Sequence, residues 1–133
     1  MFKEIYTLTK KVENMSELEI GAINNFNPYI YNARIISVYD GDTVTAVVDC
    51  GFNIKVEMKL RLLGIDTPEL RGDERPEGLI SRDYMRELVL DKDVLIETYR
   101  DKTGKYGRML ATIHLDGLNV NEHLITEGYA ERY

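Results

Sequence analysis

Apolar and polar residues alternate most regularly over residues 54–63. Ile54, Val56, Met58 and Leu60 occupy alternate positions, and charged residues lie between them. Successive side chains of a strand point to opposite faces of a sheet, so this pattern predicts a half-buried strand. The four apolar side chains are expected on its core face.

Similar patterns predict the remaining elements of the second part of the chain. Four further strands are predicted at 29–39, 43–48, 94–99 and 108–115. Two helices are predicted at 79–90 and 120–127, and Gly128 stands where a helix usually ends. The intervening turns are predicted at Asp40-Gly41, 49–53, Lys102–Lys105 and Asp116-Gly117, with a polar loop over 64–78.

The order of these elements favours a mainly β fold with helices. Three meandering strands, a helix, two strands and a closing helix fit a five-stranded Greek-key barrel of the OB type. A mixed α+β sandwich with the same elements is the alternative.

The first part of the chain shows helical periodicity instead. Phe2, Ile5, Leu8 and Val12 recur at spacings of three and four, which predicts an amphipathic helix over 2–20. We therefore divide the chain into an N-terminal helical extension, 1–28, and a barrel domain, 29–133. Lysine and glutamate are mixed on the polar face of the helix, so we expect it to pack on the barrel, on a partner protein or on a second copy rather than on a membrane.

Composition narrows the possible functions. The 133 residues carry a net charge of −6, which argues against a protein that simply coats nucleic acid but allows an enzyme that meets phosphate at one focused site. The first residues lack the apolar core of a secretory signal, so we expect an intracellular protein, or a secreted one if a signal was removed before residue 1. Cys50 is the only cysteine, which excludes an intrachain disulfide, and we expect it to be a small buried strand residue.

The hairpin formed by the second and third strands gathers polar residues at one end of the sheet. It turns near Gly51 and Phe52, so residues whose numbers sum to about 103–107 should lie opposite each other. The residues expected at that end are Asp42, Thr43, Arg61, Asp66 and Thr67, with Glu69 a few positions further on.

Such a cluster has a recognisable chemistry. Carboxylates held together repel one another unless a cation lies among them, and hard cations such as Ca²⁺ or Mg²⁺ prefer carboxylate and carbonyl oxygens. Asp42 and Asp66 are the natural direct ligands, and the carbonyl of Thr67 could add a third. Arg61 could neutralise a carboxylate or hold a phosphate, and Glu69 could orient or deprotonate water. A metal, an arginine and a spare carboxylate are the groups needed to hydrolyse a phosphodiester.

Each residue also has a simpler structural interpretation. Asp40 and Gly41 form a common turn sequence, Asp66 could cap local backbone, and Arg61 could be a solvated strand residue. The expected placement of these groups at one end of one hairpin favours a functional site.

Two sequence signatures point to a known family. Asp40-Gly41-Asp42-Thr43-Val44, Arg61-Leu62 and Ile65-Asp66-Thr67-Pro68-Glu69 resemble the first signature of the staphylococcal nuclease-like (thermonuclease) family. Lys105-Tyr106-Gly107-Arg108 resembles the second. The resemblance covers about residues 30 to 130.

The resemblance implies an OB-type barrel that hydrolyses DNA or RNA, preferably single-stranded, with Ca²⁺ and leaves 3′-phosphate and 5′-hydroxyl ends. It implies that the side chains of Asp42 and Asp66 and the carbonyl of Thr67 bind the metal, with Asp40 in the outer shell. It implies that Glu69 is the general base or a water organiser.

The resemblance also implies how the substrate is held. Arg61 and Arg108 would grip the scissile phosphate, and Lys105 and Tyr106 would contact a neighbouring one. Gly104 stands where the family has an acidic residue, and the loop after Glu69 is shorter than in the type member.

Aromatic residues that stack on a base lie beyond position 133 in family members. Tyr129 or Tyr133 could replace them here, although Tyr129 also suits packing against the barrel, and His114 and His123 match no catalytic position. A noncatalytic OB module that binds nucleic acid or protein is the alternative function. The presence of Asp42, Asp66, Arg61, Glu69 and Arg108 together favours the enzyme.

Overall fold

The computed structural model describes residues 27–100 and 108–133. Its strands are β1 (Ile30–Asp40), β2 (Thr43–Asp49), β3 (Lys55–Leu62), β4 (Ile65–Asp66), β5 (Asp93–Tyr99), β6 (Met109–Leu115), β7 (Leu118–Asn119) and β8 (Glu131–Arg132). Its helices are a 3₁₀ turn (Gly72–Glu74), α1 (Arg75–Val89) and α2 (Val120–Thr126). The predicted helix at 2–20 and the predicted turn at Lys102–Lys105 lie outside the described residues.

Five strands form a closed barrel. Their order is β3-β2-β1-β5-β6, and β3 pairs with β6 in parallel through Leu60, Arg61 and Leu62. The remaining neighbouring pairs in the barrel are antiparallel. The pairing of β3 with β6 closes the sheet, which confirms the predicted OB-type barrel and excludes the mixed α+β sandwich.

The inward side chains of every barrel strand fill the core. Ile35, Ala46, Leu60, Ile96 and Ile113 are fully buried, one from each strand. Each large aliphatic side chain buried in this way contributes about 1.5–3 kcal/mol to folding. Because one face of each strand packs into the core, the other face must point outward. The strand register then determines which outward residues lie next to one another.

Helix α1 begins earlier than the sequence predicted. It starts at Arg75 rather than residue 79, with Pro76 in its first turn. Proline is tolerated there because the first amide groups of a helix have no intrahelical acceptor. Met85 and Val89 are buried and anchor the helix on the barrel.

Part of the predicted pattern of β3 was wrong. Ile54 is 53% exposed and Val56 is also exposed, although both were expected on the core face. The reason is that β3 meets β6 only from Leu60 onward, so the first half of β3 extends beyond the closed part of the barrel. Cys50 lies just before the turn of this hairpin and is exposed, not buried as expected.

No helix among residues 27–100 and 108–133 is both long and apolar enough to cross a membrane.

Candidate active site at one end of the β2–β3 hairpin

The turn between β1 and β2 lies against the loop that follows β4. Asp40 Oδ1 accepts a hydrogen bond of 3.1 Å from the backbone N–H of Asp42, which closes the turn. A Cβ atom on Gly41 would lie 2.8 Å from Thr67 Cγ2 and 3.0 Å from Ser81 Cβ. The close approach therefore requires glycine at position 41 and brings Asp42 next to Thr67.

Asp42 accepts three hydrogen bonds, two through its carboxylate and one through its backbone carbonyl. Its Oδ1 accepts from the Thr43 hydroxyl at 3.0 Å, and its Oδ2 accepts from the Thr67 N–H at 3.0 Å. The backbone carbonyl of Asp42 accepts from Leu62 N–H at 2.8 Å, which ties this residue to the end of β3. Thr43 pairs with Arg61, whose numbers sum to 104, as the predicted hairpin register requires.

Arg61 lies between two carboxylates. Its Nη1 is 3.3 Å from Asp42 Oδ2, and its Nη2 is 3.4 Å from Asp66 Oδ1. Nη1 also donates to the Leu62 carbonyl at 3.1 Å. The Arg61 side chain is 14% exposed and that of Asp42 is 8% exposed, whereas that of Asp66 is 54% exposed. One guanidinium therefore joins a buried carboxylate to a solvent-facing one.

The carboxyl group of Asp40 is affected first by burial and then by the neighbouring Asp42. Its burial, its side-chain hydrogen bond with Asp42 and the charge of Asp42 raise the pKa of Asp40 to about 7. A cation bound beside Asp42 would oppose this shift.

The groups present suit a hard cation with oxygen ligands. Asp42 and Asp66 supply carboxylates, and Thr67 supplies a carbonyl beside them. Thr67 Oγ1 is buried, and no hydrogen-bond partner for it is found in the described part of the chain. The same ranges contain no group of three His, Cys, Asp or Glu side chains that could hold a metal by themselves. The set thus fits Ca²⁺ or Mg²⁺, which accept carbonyl and water oxygens, better than a metal that needs several nitrogen or sulfur ligands.

These residues open onto a cleft of about 820 Å³. Arg61, Asp66, Glu69 and Arg108 are among the residues that line it. Arg108 immediately precedes β6, and the pairing of Leu60 with Met109 brings it to the end of the barrel near Arg61.

The position of Glu69 is set by its backbone. Its N–H donates to Glu74 Oε2 at 3.0 Å. A Cβ atom on Gly78 of α1 would contact the Glu69 carbonyl oxygen and lie 2.8 Å from the carbonyl carbon. Helix α1 therefore seats the segment that carries Glu69 at the edge of the cleft.

Comparison with known proteins decides the family. A sequence model described as "Staphylococcal nuclease homologue" matches residues 59–133. The chain belongs to the staphylococcal nuclease-like family. The barrel fold and the two signature motifs found in the sequence agree with this assignment.

The relatives include named nucleases. A thermonuclease of Staphylococcus hyicus is 31% identical over 111 residues, which cover 81% of this chain and 62% of the relative. Endonuclease YncB of Bacillus subtilis is 31% identical over 122 residues, covering 88% and 56%. An uncharacterized protein of Methanocaldococcus jannaschii is 29% identical over 140 residues, covering 83% and 65%. The aligned part thus spans between about half and two thirds of each relative's length.

The structure brings together most of the residues that the sequence singled out. Asp42, Arg61 and Asp66 are in contact, Thr67 donates to Asp42, and Asp40 bonds the Asp42 amide. Glu69 and Arg108 line the same cleft. Lys105 and Tyr106 lie outside the described residues, so their placement stays a prediction.

Sequence reasoning missed how the Asp66 segment is held. Strand β4 pairs with β8, with Asp66 opposite Glu131, and Tyr133 N–H donates to the Gly64 carbonyl at 3.0 Å. Two-residue strands carry no periodic pattern, so nothing in the sequence indicated this pairing.

Sequence reasoning also missed the role of Asn121. It is buried; its Oδ1 accepts from Ile113 N–H, and its Nδ2 donates to the carbonyls of Leu63 and Ala111 at 2.9 and 3.0 Å. The available signal in the sequence was the amide side chain of Asn121, which lies in the predicted helix between the apolar residues Val120 and Leu124. Asn121 therefore joins α2 to β6 and to the residue that follows β3.

The histidines and Tyr129 lie in structural contacts, as expected. His123 Nε2 is 2.6 Å from the Tyr84 hydroxyl, and His114 Nε2 is 3.1 Å from Glu97 Oε1. Tyr129 stacks on Tyr84 with 3.9 Å between ring centroids. The rings of Tyr84, His123 and Tyr129 thus join α1 to α2 and the segment after it, while His114 joins β6 to β5.

Proposed function

We propose that this protein is a metal-dependent nuclease that hydrolyses phosphodiester bonds of DNA or RNA and leaves 3′-phosphate ends. Ca²⁺ is the first choice of metal and Mg²⁺ the second. The observation that carries the proposal is the arrangement of Arg61 between Asp42 and Asp66 in a cleft also lined by Glu69 and Arg108. The names of the relatives, thermonuclease and endonuclease, support it.

The metal would be held by the side chains of Asp42 and Asp66 and the carbonyl of Thr67. When bound, it would polarise the phosphoryl group or acidify an attacking water. Asp40 would act from the outer shell, since its hydrogen bond to the Asp42 amide orients the turn that presents Asp42.

Arg61 and Arg108 would bind the scissile phosphate. The contact of Arg61 with Asp42 is buried, whereas its contact with Asp66 faces solvent. Nη2 can therefore turn from Asp66 to a phosphate oxygen while Nη1 keeps the guanidinium in place. The charge-assisted hydrogen bond from Nη2 to the phosphate would stabilise the charge that develops on it.

Glu69 would accept a proton from the attacking water or orient that water. Its side chain is exposed at the edge of the cleft, while its backbone is fixed by Glu74 and Gly78. The water oxygen would bond to phosphorus, the P–O5′ bond would break, and the 5′ oxygen would take up a proton from solvent. Lys105 and Tyr106 would contact the neighbouring phosphate.

The test is cleavage of end-labelled single-stranded DNA and RNA in Ca²⁺, in Mg²⁺ and in chelator. The proposal predicts cleavage that requires the metal, with products whose mobility changes after phosphatase removes a 3′-phosphate. Oligonucleotide that is bound but not cut in any metal would instead identify a noncatalytic binding module.

A further inference from the structure

The outer face of the sheet beside the cleft continues the row that carries Arg61. Asp40 pairs with Thr43 and Thr43 with Arg61, which forms one row across β1, β2 and β3. The adjacent row on the same face is Ser37, Thr45 and Lys59, because Ser37 pairs with Thr45 and Thr45 with Lys59. These three residues line the same cleft as Arg61.

Tyr39 is placed beside these rows by an irregularity in β1. The register passes from Val38 opposite Val44 to Asp40 opposite Thr43, so Tyr39 is an extra residue in the strand. A bulge of this kind redirects a side chain and is common next to active sites. Tyr39 lines the cleft and yet is 68% exposed.

The chemistry of this second row matches the parts of one nucleotide. A tyrosine face stacks on a base whatever its identity, because every base presents a π face. Lys59 is a cation two residues along β3 from Arg61, about 7 Å away along the strand. That separation suits a second phosphate of an extended single strand. Thr45 on β2 and Ser37 on β1 continue the row from Lys59 with hydroxyls that can hydrogen-bond sugar or base edges.

We propose that Tyr39 and Lys59 form a subsite for a nucleotide flanking the scissile phosphate. The base stacks on Tyr39, and Lys59 binds the phosphate on its side of Arg61. This inference rests on the proposed nuclease function for the position of the scissile phosphate. It assigns recognition of single-stranded substrate to the outer face of β1, β2 and β3, and it explains how an acidic protein gains local affinity for nucleic acid.

The test combines a tyrosine variant with an abasic scan of the oligonucleotide. Binding of a fluorescent eight-nucleotide single-stranded DNA is measured by anisotropy in Ca²⁺, using the full chain with Glu69→Gln to slow turnover. In this background Tyr39→Ala should weaken binding about tenfold. Removing the base at one position should weaken binding similarly, and the two losses should not add at that position.

The matched controls lie immediately before β1 and on β3. Tyr29 is another exposed tyrosine of the chain, immediately before β1, and Tyr29→Ala should leave binding unchanged. Lys59→Gln should reduce the slope of log K against log salt by about 0.7, as expected for one lost phosphate contact with a single strand. Lys55 is on the same face of β3 but four residues further from Arg61 than Lys59 is. Lys55→Gln should therefore leave the slope unchanged.

The outcomes separate this inference from the nuclease proposal. Losses that add at every abasic position, or a Tyr29→Ala loss equal to that of Tyr39→Ala, would overturn the subsite even if the wild-type chain cleaves DNA. Non-additive losses at one position would support the subsite even if no cleavage is found, and the nuclease proposal alone would then fail.

Discussion

Arg61 compensates two carboxylates that would otherwise face each other with like charge. Removing it would leave Asp42, which is only 8% exposed, without its guanidinium partner. Removing one partner of a buried ion pair costs about 3–5 kcal/mol of folding free energy. Because Asp66 is exposed to solvent, the expected cost here lies near the lower end of that range. A cation bound by the same carboxylates would replace the lost charge.

We therefore expect Arg61→Gln to lower the melting temperature and Ca²⁺ to restore part of it. The rise in melting temperature on adding Ca²⁺ should be larger for this variant than for the wild type, as scanning calorimetry with and without chelator can measure. Arg34→Gln, which removes an exposed pair with Asp93, is the control and should show the wild-type response. An Arg61→Gln protein that does not respond to Ca²⁺ would contradict the metal site.

Thr67 offers a second residue-scale prediction. The Thr67 hydroxyl is buried and has no hydrogen-bond partner among residues 27–100 and 108–133. Replacing it by a methyl group in Thr67→Val should raise the free energy of unfolding by about 1 kcal/mol. The methyl group that touches Gly41 and the backbone carbonyl both remain. Calorimetric titration should give unchanged Ca²⁺ affinity, and a large loss of affinity would show that the hydroxyl, not the carbonyl, is the ligand.

At the scale of elements, helix α1 packs closely against the backbone of the segment that carries Glu69, and this contact is sensitive to substitution. Glycine to alanine within a helix ordinarily stabilises by about 1 kcal/mol. At Gly78 the added Cβ would meet the backbone of Pro68 and Glu69, which cannot rotate away as a side chain could.

We expect Gly78→Ala to destabilise the protein by about 1–3 kcal/mol, the opposite sign to helix propensity. Because displacement of a catalytic group by about 1 Å can cost about 100-fold, cleavage should fall by a comparable factor. Denaturant unfolding and cleavage rates measure the two effects. Asp83→Ala, on the exposed side of α1, is the control, and a stabilised, fully active Gly78→Ala protein would refute the seating of Glu69 by α1.

The elements also show what local sequence can and cannot predict. The register of β2 and β3 followed from alternation and from a turn centred near Gly51 and Phe52, which are local signals, and this register brought Asp42 to Arg61. The exposure of Cys50 follows from its place in the turn predicted at 49–53, which the expectation of a buried strand residue overlooked. The exposure of Ile54 could not be predicted, because it depends on where β6 meets β3. The bulge at Tyr39 was not predicted for a similar reason, since a one-residue shift in register is visible only once the partner strand is known.

At the scale of the whole molecule, Asn121 joins the parts that close the barrel. Its side chain bonds Ile113 on β6, Ala111 on β6 and Leu63 just after β3. A substitution by leucine keeps the branched shape of the side chain, with a larger volume, but leaves the Ile113 N–H and the Leu63 carbonyl without this partner. Each buried group left unsatisfied costs about 1–3 kcal/mol.

Asn121→Leu should therefore lower the free energy of unfolding by about 3 kcal/mol, measured by chemical denaturation. Glu127→Gln, at the exposed end of α2, should change it little. A leucine variant as stable as the wild type would show that the seam between β3 and β6 closes without the asparagine.

The central claim is that Arg61 and Glu69 act in the cleft on a phosphodiester. The direct measurement is the single-turnover rate of single-stranded DNA cleavage at saturating Ca²⁺. Arg61→Gln should lose about 10²–10³-fold and Glu69→Gln about 10²–10⁴-fold, whereas Arg34→Gln should keep the wild-type rate. Wild-type rates in both cleft variants, or no cleavage by the wild type, would contradict the claim.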